Sequence, residues 1–317
     1  MSLSQERIAV LAGGPSCERD ISLLSGRAVF EALSSRGLEV LFLDPDGDFV
    51  GRLKEWGTTI AFLALHGHFG EDGTLQRALD AAGIFYTGSR PNACARAFDK
   101  SIAQGLFRAE GLSVPSARIL KKEEKIPYLN ASEFPVVVKP AACGSSVGIS
   151  LALFPEALGD ACAEAFKFSY TILLERYIRG RELTIGILGE RALPPVEIVT
   201  PRSFYDYEAK YRDSATRYEC PANLTAEGTA LLQNSAQRAF HALGCEVMAR
   251  VDFILSEDGV PYILEANAIP GLTGKSLLPK AAKAAGVDFP DLCVRILQLS
   301  LELSKIKQHG QTTQKQV

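Results

Sequence analysis

The chain has 317 residues, 47% of them hydrophobic and 22% charged, with a formal net charge of −3. That length predicts two or three domains with sizeable cores, and the mild negative charge excludes the broad basic footprint of a nucleic-acid binder. The seven cysteines lack metal-type spacing and no secretory leader precedes the first strand, so they read as reduced cytoplasmic thiols; the longest apolar runs, such as Ile60 to Leu65, are far too short for a membrane span.

Ile8 to Ala12 predicts a buried strand ending in Gly13-Gly14. A helix follows through Ile21, Leu24, Val29 and Leu33, stopped by Gly37. Val40 to Leu43 and Ile60 to Leu65 are strands, the second running into His66-Gly67; Leu75 to Ala82 is helical and Ile84 to Tyr86 a strand. This alternation predicts an α/β fold class with an open, mostly parallel sheet over residues 1–98, which binds ligands at its strand ends. Ala95 to Ala109 predicts one helix. Strands at Val136 to Lys139 and Leu173 to Ile178 flank the loop Cys143 to Gly148 and a helix from about Pro155. Together these predict an α+β unit over 99–183. The third unit, 184–317, has strands at Leu183 to Leu188 and Val196 to Val199, a long polar loop from Ser203 to Tyr218 and a helix from Thr225 to Leu243. It then has a hairpin, two helices (Lys275 to Ala285, Phe289 to Ser304) and a frayed Gln- and Lys-rich tail from about Lys305.

The hairpin carries the strongest local signal. Both runs, Arg250 to Leu255 and Tyr262 to Asn267, alternate with period two around Asp258-Gly259. A two-residue turn there sets Asp252 opposite Glu265 and Arg250 opposite Asn267. Two carboxylates and an amide then share one face, either as hard oxygen ligands for Mg²⁺ or as the solvated face of an edge hairpin.

Other segments carry candidate chemistry. Gly144-Ser-Ser-Val-Gly148 is a small polar loop that suits phosphate oxygens or a plain turn. Lys139 ends an apolar strand and calls for an anionic partner, whereas Lys100 fits a phosphate contact or a solvated helix charge. Glu175 and Glu182 suit ribose hydroxyls and an adenine amino group, or surface ion pairs. His66-Gly-His-Phe-Gly-Glu-Asp-Gly73 reads as a substrate-lining loop rather than a zinc site. Tyr205 to Tyr211 lies in a long polar loop that reads as a water-excluding lid.

In order, the chain presents Gly13-Gly-Pro-Ser-Cys-Glu18-Arg19, the His66 loop, Asp99-Lys100, Lys139-Pro140, Gly144-Ser-Ser-Val-Gly148 and Gly180-Arg-Glu-Leu-Thr184. The segment Tyr205 to Tyr211, Arg250-Val-Asp252, Glu265-Ala-Asn267 and Pro270-Gly-Leu-Thr-Gly-Lys-Ser276-Leu277 follow. This set resembles the D-alanine–D-alanine ligases of the ATP-grasp superfamily from about residue 8 to 300. The resemblance implies three domains, with ATP held between the central and C-terminal sheets, and a D-alanyl phosphate attacked by a second D-alanine to give the dipeptide of peptidoglycan precursors.

The resemblance also implies residue roles. Asp252, Glu265 and Asn267 would hold two Mg²⁺ (or Mn²⁺), with Lys100, Lys139 and Lys210 on phosphates and Ser146 a phosphate contact of the glycine loop. Glu175, Arg176, Ile178 and Glu182 would form the adenosine pocket. Glu18, with His66 nearby, would hold the first D-alanine's ammonium, and Ser145 and Tyr211 would link Glu18 to the closing loop. Ser276 and Leu277 would grip the second D-alanine's carboxylate, while Arg250 and the Gly271 N–H would face the oxyanion. The partners implied are D-alanine and ATP, in a homodimer with no nucleic-acid or membrane partner. Tyr211 favours a dipeptide ligase over a D-lactate or D-serine ligase; a non-catalytic nucleotide-binding module is the remaining alternative. Cys143, Ala268 and Leu272 depart from the family pattern, as do Arg90 and Pro91, without removing a proposed ligand or charge.

Overall fold

The computed structural model describes residues 3–200 and 216–314, with the backbone alone beyond residue 305. Strands β1 (Arg7–Leu11), β2 (Glu39–Leu43), β3 (Ile60–Leu63) and β4 (Phe85–Tyr86) form a parallel sheet in the order β2-β1-β3-β4. Its alternate residues feed two cores. Ile8, Val10, Ile60 and Phe62 face helix α1 (Arg19–Ser35) through Val29 and Leu33. Ala9, Leu11, Ala61 and Leu63 face helices α2 (Phe49–Trp56) and α3 (Thr74–Ala82) through Leu53, Leu75 and Leu79. A parallel sheet covered on both faces has no polar side, hence the unbroken apolar runs in its sequence. Helix α2 is not foreseen from the sequence; Asp48 caps it, accepting from the Gly51 N–H at 2.9 Å.

The single helix expected over Ala95 to Ala109 is two helices, α4 (Pro91–Phe98) and α5 (Lys100–Ala109). Asp99 is extended between them, and its carboxylate accepts from the Ser101 and Ile102 N–H groups. An Asp N-cap satisfies donors that a new helix would leave orphaned, so the chain re-aims here and Lys100 opens α5.

Strands β5 (Ala117–Lys121), β6 (Val136–Pro140), β7 (Ser150–Ala152) and β8 (Thr171–Arg176) make an antiparallel sheet in the order β5-β8-β6-β7. Helix α6 (Leu158–Ala165) covers it and is preceded by one 3₁₀ turn at Pro155–Ala157. Strands β5 and β7 are short or largely exposed and lack the alternation that would reveal them in sequence.

The third sheet runs β12-β11-β9-β13-β14, with β10 on β9. Its strands are β9 (Gly180–Leu188), β10 (Arg191–Ala192), β11 (Val196–Val199), β12 (Arg217–Glu219), β13 (Met248–Ser256) and β14 (Pro261–Asn267). Strand β9 opens at Gly180, so a boundary after residue 183 falls inside a strand. One face packs on α7 (Ala226–Leu243) and on α4 and α5, through Leu183, Ile185, Val251, Phe253, Leu232 and Phe107. Helices α8 (Leu277–Ala284) and α9 (Phe289–Gln314) join the opposite face to the core under α1. Helix α9 continues past Lys305, where fraying is expected from sequence. The segment's Gln and Lys residues are good helix formers and no proline interrupts them. Among the described residues no helix is long and apolar enough to cross a membrane.

Candidate active site

The hairpin reaches the expected pairing by a different route. Asp252 faces Glu265 and Arg250 faces Asn267, but nearer the turn Phe253 pairs with Ile263 and Leu255 with Pro261. The turn holds Glu257, Asp258 and Gly259 between Ser256 and Val260, closed by Ser256 N–H to Val260 C=O at 3.0 Å, with Gly259 left-handed at φ 80°. That is a longer turn than the Asp258-Gly259 signal implies. A bulge between Asp252 and Phe253 takes up the difference and leaves Leu264 without a partner across the ladder. Bulges re-aim backbone beside functional sites; here the Leu264 carbonyl accepts from Lys139 Nζ at 3.3 Å.

The charges on this face are paired. Arg250 donates from Nε to Asp252 Oδ1 at 2.8 Å and from Nη2 to Oδ2 at 2.7 Å, a fork on a carboxylate whose side chain is 12% exposed. Thr184, across the sheet on β9, donates to Asp252 Oδ1 at 2.6 Å, and Asn267 donates to Oδ2 at 3.2 Å. Lys100 Nζ lies 3.2 Å from Glu265 Oε2 and donates to the Cys143 carbonyl at 2.7 Å. Burial pulls the Lys100 ammonium down, but the attraction and hydrogen bond of Glu265 outweigh it, so it is held above the usual lysine range. Lys139 Nζ sits 2.7 Å from Glu175 Oε1, both almost fully buried.

A cavity of about 350 Å³, in the range of cofactor sites, lies between the second and third sheets. Lys139, Ser146, Glu175 and Arg176 line it from the second sheet and its loop, Glu182 with Arg250, Asp252 and Glu265 from the third, and Ile178 from the connection between the two. Lys100 and Asn267 border a smaller void behind Glu265. The candidate phosphate loop is strained: Ser145 and Ser146 are left-handed at φ 51° and 56°. Two such non-glycine residues in succession persist only where the surroundings hold them, as at ligand clamps.

A second group adjoins the loop. Glu18, 8% exposed, accepts a hydrogen bond from Ser145 Oγ. Any Cβ at Gly144 would collide with that carboxylate, so the loop can approach Glu18 only as glycine. His66 is buried, but its ring turns to Ser25 Oγ (Nε2, 3.0 Å) and Glu71 (Nδ1, 3.5 Å). Its link to Glu18 runs through Ser16, whose hydroxyl donates to the His66 carbonyl at 2.6 Å and accepts from the Glu18 N–H at 3.0 Å. Ser25 Oγ also accepts from the Leu272 N–H at 3.4 Å, tying the first sheet to the Gly271-Leu272 loop. Ser276 opens α8 with its hydroxyl 3.1 Å from the Thr273 N–H and close to Gly271; Leu277 follows at the helix N-terminus and lines the cavity. Lys210 and Tyr211 lie outside the described residues. Among the described residues no three His, Cys, Asp or Glu side chains are grouped as a metal cluster.

The sequence reading quotes Thr184 within a motif but gives it no role, and it misses Ser25 and Gln104. Thr184 and Ser25 are small hydroxyls whose partners are distant in sequence. Gln104 stands one helical turn after Lys100, and that spacing is a signal.

Residues 106–298 match the family model described as the D-ala D-ala ligase C-terminus. The chain is also 47% identical over 292 residues to a D-alanine–D-alanine ligase of Alkalilimnicola ehrlichii, covering 92% of this chain and 93% of that one.

The chain belongs to the D-alanine–D-alanine ligase family.

Another ligase of that name, from Geobacter sulfurreducens, is 45% identical over 97% of this chain and 98% of its own. Among solved structures, the Bacillus anthracis D-alanine–D-alanine ligase complexed with ATP superposes with a TM-score of 0.85 at 32% identity, covering 95% of this chain and 99% of that one. The VanG D-Ala:D-Ser ligase of Enterococcus faecalis gives 0.79 at 27% identity, over 93% and 99%. The fold is therefore the three-sheet ATP-grasp arrangement of this ligase family.

Cys143 has its thiol pushed up to about 11, chiefly by burial and against the pull of Lys100. At pH 8 roughly one such thiol in 1000 is ionised, against about one in four for a free cysteine. Alkylation of Cys143 in the folded protein should thus run about 250-fold slower than for a free thiol. It should quicken about tenfold per pH unit up to pH 11, as peptide mass spectrometry of timed samples would show.

Proposed function

We propose that the protein joins two D-alanines at the expense of ATP, releasing ADP and phosphate, for peptidoglycan precursor synthesis. The observation that carries this reading is the shared cavity, which sets a lysine and a strained serine loop opposite an Arg–Asp–Glu face. The chain around it is close in sequence to D-alanine–D-alanine ligases.

In the first step a carboxylate oxygen of D-alanine bonds to the γ-phosphorus and the bond to ADP breaks. Both reactants are anions, so the approach needs cationic screening. Lys139 on the cavity wall and Lys100 behind Glu265 supply it, and Ser146 adds a donor from the glycine loop. In the second step the amine of another D-alanine attacks the acyl carbon, phosphate leaves, and the amine proton is released. Arg250 presents its fork to the oxyanion, with the Gly271 N–H as its partner. Glu18, braced by Ser145, takes the ammonium of the first D-alanine, and the α8 N-terminus at Ser276 and Leu277 suits the carboxylate of the second. By the family resemblance, Lys210 and Tyr211 complete the set. Glu175, Arg176, Ile178 and Glu182 hold adenosine.

Asp252, Glu265 and Asn267 fit Mg²⁺ or Mn²⁺. The set is all oxygen donors and offers two carboxylates, so phosphate oxygens and water must fill the remaining positions, as Mg²⁺ prefers. When bound, the ion adds positive charge between the phosphates.

A phosphate-release assay with D-alanine and ATP tests the reading. Release should require both D-alanine and Mg²⁺, with D-alanyl-D-alanine as product. ATP binding without turnover on any D-amino acid would overturn it, and preference for D-serine or D-lactate as acceptor would move the chain to a sister specificity. Glu18→Gln should raise the D-alanine KM by roughly 10- to 100-fold through loss of one charged hydrogen bond, with the KM for ATP unchanged. We place the enzyme in the cytoplasm, a reading supported by its seven free thiols. We divide it into units 1–98, 99–179 and 180–317, one per sheet. Family resemblance points to a homodimer, which light scattering tests as twice 34.2 kDa.

A further inference from the structure

Helix α5 carries Lys100, Gln104 and Arg108 one turn apart on a single face. Lys100 meets Glu265. Gln104, 2% exposed, donates from Nε2 to Glu175 Oε1, the oxygen that also holds Lys139. Arg108 donates from Nη2 to Gln104 Oε1 at 2.9 Å and to the Pro115 carbonyl at 3.2 Å. The orientation of the amide follows from its neighbours. A guanidinium only donates and an ionised carboxylate only accepts, so the carbonyl of Gln104 must face Arg108 and its NH₂ must face Glu175. Rotated by half a turn, the amide would oppose both.

Lys139 thus shares its carboxylate with a neutral donor. If a triphosphate draws Lys139 toward it, Glu175 would otherwise remain as a buried charge with no partner, which is costly. The Gln104 amide removes that obstacle and keeps Glu175 on the cavity wall.

We propose that Gln104, locked by Arg108, is a positioning residue for the nucleotide: it holds Glu175 in place and lets Lys139 pass to the phosphates. The proposal rests on the ATP-dependent ligase reading above. The amide touches Glu175 rather than the nucleotide, so its effect belongs in nucleotide affinity and base selection, not in D-alanine binding. Gln104→Leu keeps the volume and removes the donor. Arg108→Met, at an exposed residue, leaves the amide free to turn and spares the core.

The test is titration calorimetry of ATP and GTP binding, together with steady-state kinetics, on the full chain of the wild type, Q104L, R108M and the double variant. We expect Q104L to weaken ATP binding about tenfold and R108M about threefold, with the double variant no worse than Q104L. The ATP-over-GTP preference should fall in step. At saturating ATP, kcat and the D-alanine KM should stay within twofold of wild type. Unchanged ATP affinity in R108M and Q104L would overturn the proposal. So would equal rises in the KM of ATP and D-alanine, or additive losses in the double variant. If Q104L does not fold, R108M decides alone. Because ATP binding is read without turnover, a wild type that binds ATP yet ligates nothing defeats the ligase reading and leaves this test standing.

Discussion

Replacing Arg250 by methionine should lower turnover by about 100- to 1000-fold, the usual cost of losing one donor to a developing oxyanion. Stability should fall as well. Arg250 places two hydrogen bonds on Asp252, and both side chains are close to fully buried (9% and 12% exposed). Breaking a buried pair from one side costs about 3–5 kcal/mol; Asp252 keeps Thr184 and Asn267, which puts the expectation near the lower end. Urea unfolding reads the second loss and phosphate release at saturating substrates the first. Arg250→Lys should recover part of the stability but little of the rate, since an ammonium keeps the charge and loses the planar fork. A methionine variant with wild-type kcat would remove Arg250 from the oxyanion role.

Replacing Glu265 by alanine should abolish measurable turnover while leaving the fold in place. Glu265 is 28% exposed on its side chain, and β14 stays anchored by its pairing with β13 from Pro261 to Asn267. The structural penalty falls on Lys100, 7% exposed, which loses its counter-charge but keeps the Cys143 carbonyl. With Glu265 partly solvated, about 1–3 kcal/mol is the expected cost. The chemical penalty is the loss of one of two carboxylates in the proposed metal set. Raising Mg²⁺ a hundredfold should not restore the wild-type rate, whereas a variant that regains full rate with added Mg²⁺ would show that Glu265 only tunes affinity. Circular dichroism and nucleotide binding without metal separate a misfolded variant from an inactive one.

The hairpin shows how far a local pattern carries. Its alternation fixes which side chains share a face within each strand, but Asp252 and Glu265 come to one face only in the right register, since a slip of one residue turns a side chain to the other face. The turn length is not legible there: an Asp-Gly pair suits both a two-residue turn and the longer one formed here. The bulge that restores the register leaves a Leu264 carbonyl that accepts from Lys139, more than a hundred residues earlier in the chain. Likewise, Asp99 reads equally well inside a helix or as its cap, and a continuous helix is the simpler reading. The break lies where Asp99 caps α5, which sets Lys100 beside Glu265.

By itself the sequence determined the α/β and α+β units, the buried strands, the candidate acids and bases, and, through ordered motifs, the ligase family. Short-range periodicity and residue chemistry suffice for these because each is written within a few residues. The tertiary structure decided which charges face one another: Lys139 with Glu175, Lys100 with Glu265, Glu18 with Ser145, Gln104 between Arg108 and Glu175. Apart from Gln104 with Arg108 on one helix, such pairs join segments far apart in the chain. A buried charge is tolerated only beside its partner, so the partner is chosen by the packing of three sheets and not by any local signal.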